Sequence, residues 1–534
     1  GPGEGVVTAT GARHLARAAP ARRTPPSPSL VPAALLGLAI GAWVVLFATL
    51  AWRNQSNFDT TGFDIGIHDQ AIWLIADGKS SFDTVRGLGY FAENVNLISL
   101  VFVPFYWLGA GPHFLIAVHT AAVGAGAIPL WLIGRDRLNS PWVALSLPAA
   151  YLLYPTVGYL CWWGYHPDSL AILPLLLAWW FALRRRWVGY AACAVVAMAC
   201  KEDAALAVLG LGAALVVWPA ARHQVRRPAV RRNGRVAAVH RAHRAGRSGM
   251  GATRWVGLAS VAVGLAWFEI CTRIILPANN FGQPPFYSSY FPALGSTPAQ
   301  VISTALRHPS RVWHLARLPD RTYYYLQMFA PVGFLLVLAL PAFLVALPQL
   351  GINVVDQGEA GATITSQYSS VVTVGVMLAT VEALGVLHRH RAGLARAACL
   401  ILVVTSIASA VAWGITPIGR QFHVWWPSSN ALSPEINQAL RLVPATAGVA
   451  VSYNITPHVT HRVWAFEFPN PWINVNWLST RVPEQPDRVQ WIVVEGVLLD
   501  GQDRALLARL TAPAGPFTVI YDEGGVEAAR RRTS

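Results

Sequence analysis

The sequence predicts an α-helical polytopic membrane protein of about eleven transmembrane helices, closed by a small C-terminal α/β domain. Three observations carry that expectation. Of 534 residues, 54% are hydrophobic and 13% charged, against about 25% charged in ordinary soluble proteins. Apolar runs long enough for a bilayer recur along the chain, separated by short arginine clusters. After about Thr416 those runs give way to short β-branched segments bounded by turns.

The first 30 residues are rich in Ala, Arg and Pro and read as a disordered cytoplasmic leader. Val31 to Trp52 then supplies the ~20 apolar residues that a hydrocarbon core requires. Positive-inside logic places its N-terminus in the cytoplasm and the first loop, 53–111, outside. Within that loop Asn96 to Gly109 reads as an interfacial or re-entrant helix, with Phe105, Tyr106 and Trp107 in the aromatic belt. Pro112 to Gly134 crosses next and ends on the basic "RDR" at Arg135–Arg137.

Alternation gives the remaining spans. Segments 141–154, 169–183, 187–200 and 204–220 precede a basic cytoplasmic loop at 221–254, and 255–276 crosses outward to an external loop at 277–323. Tyr325 to Val355, interrupted by Pro331, Pro341 and Pro348, is expected to form a hairpin of two short spans. Ser370 to Leu387 and Ala392 to Trp413 complete a transmembrane domain over 31–414. Residues 415–534 form the α/β domain, with strands at "GVAVSYN", "VQWIVVEG" and "FTVIYDEG" and helices at 434–442 and 503–510. The expected location is the plasma (inner) membrane, with this domain outside the cytoplasm.

The net charge of +15 does not mark a nucleic-acid binder, because the basic residues lie in short clusters between apolar runs, as topogenic anchors do. Cys161, Cys193, Cys200, Cys271 and Cys399 form no CxxC and read as buried small hydrophobes.

On this topology the polar motifs collect on one side. "FDIGIHDQAIW" holds Asp64 and Asp69, "YHPD" holds His166 and Asp168, and "KED" holds Lys201, Glu202 and Asp203; Asp59 and Glu93 lie in the first loop. An ionisable group at membrane depth costs at least ~2.5–3.5 kcal/mol, so these groups pair with one another or face an aqueous cavity. Singly, each also fits a structural role. Asp64 suits a helix N-cap with Asp69 on the solvated face, His166 and Asp168 a polar turn, and Lys201 and Glu202 a pair across a helix end. Together they favour a site. No GxSxG, HExxH, Walker or GxGxxG motif is present in context. Carboxylates beside an apolar groove, with a histidine and a lysine, suit general-base attack by a sugar hydroxyl on a phosphate-linked donor.

An aspartate in the loop after the first helix, followed by interfacial helices, resembles the GT-C glycosyltransferases. "FDIGIHDQAIW", "YHPDSLAILPLLLAWW", "KEDAALAVLGLG", "ALPQLGINVV" and "TPHVTHRVWAFEFP" more closely resemble a bacterial and archaeal membrane family catalogued as domain of unknown function 2079, over roughly Trp52 to Arg532. The resemblance implies a polyprenyl-phosphate-sugar-dependent transferase working outside the cytoplasm, as in cell-wall biosynthesis. It places the catalytic base at Asp64, with Asp69 as alternative or partner, and carries over His166, Asp168, Lys201, Glu202 and Asp203. The chain departs from the pattern at "ENVN", Glu93 to Asn96, and at Gln367 and Tyr368.

The leading expectation is an inverting transferase that moves a sugar from a polyprenyl-phosphate donor to a glycan, lipid or protein acceptor. Asp64 is its base, and Lys201 or Arg273 lies near the donor phosphate. Glu93 and Tyr368 also join the substrate-binding set. Trp162, Trp163, Tyr287 and Tyr290 either stack on sugar and lipid or anchor the aromatic belt. The number of acids permits Mg²⁺ or Mn²⁺. The alternative is a lipid-linked sugar flippase or transporter, which predicts internal repeats that are not visible here. A non-catalytic membrane scaffold leaves "YHPD" and "KED" without a purpose.

Overall fold

The computed structural model describes residues 1, 3, 30–217, 238–280, 290–358, 360–475, 477 and 485–532, with backbone alone over 238–250. Most of the expected leader, most of the basic loop and Tyr287 lie outside the described residues.

Among the described residues, five helices are long and apolar enough to cross a bilayer: Val31–Ser56, Pro112–Leu138, Gly251–Asn279, Gln367–His390 and Ala392–Trp413. Two bent pairs raise the number to seven if each counts as one span: Val143–Leu152 with Pro155–Trp162 at 44°, and Pro319–Val332 with Leu335–Phe343 at 78°. The expected spans at 169–183 and 187–200 appear as the shorter apolar helices Pro167–Leu183 and Trp187–Cys200, and the span expected at 204–220 is helical from Ala204 to Val217, the last described residue before 238. By length and composition the described residues thus give five to seven spans, where eleven were expected for the whole chain.

Proline explains the bends. Pro155 follows an extended Tyr154 and opens a new helix, as the restriction on the preceding residue dictates. Pro331, Pro341 and Pro348 each stand at the first or second position of a fresh turn, where the missing N–H is harmless. The expected hairpin of two spans over 325–355 is therefore one sharply bent pair followed by the short helix Leu347–Val355.

Helix Val31–Ser56 turns one stripe inward, Leu36, Trp43, Phe47, Leu50 and Asn54, spaced by three, four or seven residues as a packed helical face requires. Leu35, Leu38 and Val45 remain exposed, as on a helix bordered by lipid. Helix Ser370–His390 is buried at every position from Ser370 to Gly385 and forms the axis of the bundle. Near one end it carries Glu382, fully buried and accepting from Arg137 Nη2 at 2.7 Å and Trp179 Nε1 at 3.0 Å. Arg184 holds Asp136 through two contacts of 2.9 and 2.7 Å at the same end. The cysteines are free, and all but the half-buried Cys193 are buried.

The C-terminal unit is a five-stranded sheet. Two short strands of the first loop, β1 (Phe82–Asp83) and β2 (Leu88–Gly89), precede β3 (Val449–Val451), β4 (Ala465–Glu467), β5 (Trp491–Glu495), β6 (Phe517–Glu523) and β7 (Val526–Arg531). The sheet order is β4-β3-β5-β7-β6; β3 pairs parallel with β4 and β5, and the other pairs are antiparallel. Alternation sends Ala450, Ile492 and Val494 to one face, under helix Gly501–Thr511 with its Asp500 cap. Val449, Val451 and Val493 point to the other face. That second face packs helix Ser433–Arg441 and also Phe58, Ile67, Ala71, Val85 and Tyr90 of the first loop. The loop is thus a layer of the C-terminal unit, and the boundary expected at 415 is crossed by a shared core.

Arg137→Leu removes the cation facing a carboxylate with no solvent access, and the expected loss is about 3–5 kcal/mol. Thermal unfolding of the purified protein should show it as a clear fall in midpoint; an unchanged midpoint would mean that the pair contributes nothing net.

Candidate functional site

A cavity of about 340 Å³ lies between the end of the helix bundle and the first loop. Asp64 reaches it from the π-helical turn Gly62–Gly66, not from a helix N-cap. That turn is positioned by Gly62 N donating to Tyr453 O at 3.0 Å and by the Thr61 hydroxyl donating to the Asp64 carboxylate. His166 sits on extended backbone before Pro167, and its Nε2 stands 3.2 Å from Asp64 Oδ1 without hydrogen-bond alignment. The pair is in contact, and the carboxylate's hydrogen-bonding directions are not consumed by the ring.

Across the cavity Lys201 ends helix Trp187–Cys200 on an extended residue. Its Nζ is 3.3 Å from Asp203, 3.8 Å from Asp168 and 4.6 Å above the ring of Tyr368. Burial works against the ammonium, but Asp203, Tyr368, Asp168 and Glu202 together hold its pKa well above the ordinary lysine value. A second cation, Arg86, pairs with Glu93 at 3.2 Å. Tyr290 and Gln367 complete this wall.

The floor is a run of hydrogen bonds. His68 Nδ1 meets Tyr90 Oη at 2.8 Å, Tyr90 donates to Ser99 at 2.9 Å, and Ser99 meets Tyr165 Oη at 3.0 Å. Burial, reinforced by His166, Lys201 and His119, drives the His68 pKa well down, so the ring is neutral.

Eight of the residues singled out in the sequence therefore share one cavity: Asp64, Glu93, His166, Asp168, Lys201, Tyr290, Gln367 and Tyr368. Asp203 supports Lys201 from behind. Glu202 turns away and accepts from Val95 N at 2.9 Å; burial, opposed by Lys201 and joined by Asp203, lifts its pKa to about 7.

Asp69 lies outside the cavity and is not on a solvated face. It is fully buried, accepting from Tyr106 Oη at 2.6 Å and from the Thr460 hydroxyl, with His461 Nε2 at 3.1 Å. Arg273 is also elsewhere, exposed and paired with Glu269 one turn away on its own helix. Trp162 and Trp163 spend their indole N–H groups on Trp425 O and Thr365 O, each at 2.6 Å. Arg86 and His68 were missed, although Arg86 and Lys79 are the only cations between Arg53 and Arg135 apart from histidines.

Behind Asp64 the C-terminal sheet contributes Glu467, whose Oε1 abuts Gly62. Burial lifts the Glu467 pKa to about 8, with Arg86 opposing and Asp83 and Asp64 adding. Burial likewise lifts the pKa of Asp83 to about 8, against backbone donors at Val85 and Arg86. Among the described residues no three His, Cys, Asp or Glu side chains converge as metal donors.

Fold and site together define a polytopic membrane protein with a charged cavity between one end of its bundle and a first loop that packs on an α/β unit. Residues 55–526 match the family described as predicted membrane protein (DUF2079), and the chain belongs to it. No curated protein matches the sequence. Among solved structures, the chain is similar to ArnT from Cupriavidus metallidurans in the apo state, at 15% identity over 92% of this chain and 98% of that one, with a TM-score of 0.40.

Two predictions follow from the junction behind Asp64. A Cβ on Gly62 would overlap Glu467 Oε1, whereas one on Gly66 would meet its nearest neighbour at 3.7 Å. Gly62→Ala should therefore lower the unfolding midpoint well below that of Gly66→Ala; equal midpoints would refute the close contact.

The second prediction concerns pH. An unfolded carboxyl ionises near pH ~4, while Asp83 and Glu467 keep their protons in the fold until about pH 8. The folded chain binds more protons through that window, so these groups stabilise the junction at low pH and lose that contribution as pH rises through it. Hydrogen exchange across residues 60–90 should be better protected at about pH 6 than above about pH 8, after correction for intrinsic rates. Glu467→Gln should flatten the dependence.

Proposed function

We propose that this protein is an inverting glycosyltransferase of the GT-C type, moving a sugar from a polyprenyl-phosphate donor to a glycan, lipid or protein acceptor outside the cytoplasm. The observation that carries the reading is the opposition, within one cavity, of the Asp64 carboxylate and the buried Lys201 ammonium. A base and a phosphate-binding cation are the two groups that such a displacement needs on opposite sides of the anomeric carbon.

Asp64 takes the proton of the acceptor hydroxyl. The hydroxyl oxygen bonds to the anomeric carbon as that carbon's bond to the phosphate oxygen breaks, and the electron pair leaves with the phosphate. Lys201 meets the departing charge, with Arg86 second in reach of the same cavity. His166, in contact with Asp64, holds the carboxylate toward the acceptor side. Tyr290 and Tyr368 flank the donor sugar, and its lipid tail runs along the apolar flank of the bundle. Asp168 and Glu93 each face a cation already.

The test is transfer from a radiolabelled polyprenyl-phosphate sugar to a membrane acceptor extract. Asp64→Asn should lower the rate by at least about 100-fold and Lys201→Ala by about 10- to 100-fold. Asp69→Asn should act mainly on stability. Transfer by Asp64→Asn at the wild-type rate would remove Asp64 as the base. Lipid movement across vesicles without any transfer would favour a flippase.

A further inference from the structure

A second cavity, of about 290 Å³, lies beside the first. Residues 362–365 line it, and Gln367 and Tyr368 line the first, so one short strap forms the common wall. The strap is pinned by Trp163 Nε1 donating to Thr365 O at 2.6 Å, Ser369 Oγ to Thr363 O at 2.7 Å, and Asn353 Nδ2 to Tyr368 O at 3.0 Å. Thr365 and Gln367 stand at most about 7 Å apart along the chain, roughly the width of one sugar ring.

The two cavities differ in charge. The first holds two cations, Lys201 and Arg86, among the carboxylates of Asp64, Glu93 and Asp168, whereas among the described residues Asp320, ion-paired with Arg321, is the sole charged residue lining the second. Only the first therefore offers a cation to an anionic phosphate. The second instead offers an aromatic corner, with Tyr323 and Trp413 at 6.2 Å and 89°, fixed by Tyr159 Oη donating to Trp413 O at 3.0 Å. Asp320, Tyr323 and Gln327 rise on one face of helix Pro319–Phe329. Among the described residues the side-chain amides of Gln327 and Gln421 make no hydrogen bond, and each offers one acceptor and two donors. Ring faces for C–H surfaces, with amides and a carboxylate for hydroxyls, are complementary to a neutral polyol.

We infer that this second cavity binds the acceptor, and that the acceptor is a neutral saccharide lying over the strap with one hydroxyl directed toward Asp64. The inference rests on the transferase reading above, and its test keeps the two apart. Full-length protein in nanodiscs is titrated with neutral gluco-, manno-, galacto- and arabino-oligosaccharides, with binding followed by saturation-transfer NMR. At least one should bind. Tyr323→Ala and Gln327→Ala should each raise its Kd at least about tenfold. Tyr323 is half exposed, so its truncation empties no core, and an unchanged unfolding midpoint excludes a folding defect. Gln421→Ala supplies a second, independent wall of the cavity. Failure of every oligosaccharide to bind, or binding that none of the three variants moves, overturns the inference. Transfer with an acceptor KM unchanged by Tyr323→Ala overturns the cavity and leaves the transferase standing. Saccharide binding lost in Tyr323→Ala, with no transfer from any donor, keeps the cavity and removes the transferase.

Discussion

A carboxylate shut off from water must find its hydrogen-bond donors inside the protein, and Asp69 finds them in three places. Tyr106 comes from the short helix Val103–Tyr106, and Thr460 and His461 come from the C-terminal unit. That one side chain ties two helices of the first loop to each other and to the C-terminal unit. Around it, Gln70 donates to Thr84 and to Arg462 O, and the Thr84 hydroxyl accepts from Ala465 N at 2.9 Å and closes the free edge of β4. With helix Ile67–Ala76 so clamped, the turn before it has one place to go, and Asp64 is delivered to the cavity.

The remaining charges divide by position. At the cavity end, cations and acids are grouped with access to a common space, and each keeps some capacity for a ligand. At the opposite end, Arg137, Glu382, Arg184 and Asp136 satisfy one another closely. Helix Ser370–His390 runs between the two arrangements, with Tyr368 just before its start and Glu382 near its finish. An axis buried on all sides transmits little freedom, so the wall that Tyr368 forms is as rigid as the bundle itself.

Much of this was legible in the residues. Apolar run length and arginine placement located most helices, and short β-branched runs located β3, β5 and β6. The strands that escaped were β1 and β2, two residues each, β4, and β7, whose "VEAARR" lacks an apolar run. The choice between Asp64 and Asp69 could not be read, because five residues on an α-helix place two side chains roughly 140° apart. One must face the cavity and the other the sheet, and only the position of the sheet decides which. The pairing of Thr84 with Ala465 spans 381 positions, and no local pattern announces it. Arg86 owes its place to the same remote docking.

The helix that brings "KED" to the cavity is short. Trp187–Cys200 has 14 residues, or about 21 Å of rise, against a hydrocarbon thickness of ~30 Å. Val188, Val195 and Val196 nevertheless face outward, as lipid contacts do. A bilayer meeting that flank is shorter than its own resting thickness, and it accommodates by thinning. The headgroup level then dips along this side of the bundle, down toward the helix end that carries Lys201. On the transferase reading proposed above, hydrophobic mismatch would act as a ramp: a lipid-linked donor whose tail stays in the membrane would slide its phosphate toward the ammonium without being lifted out.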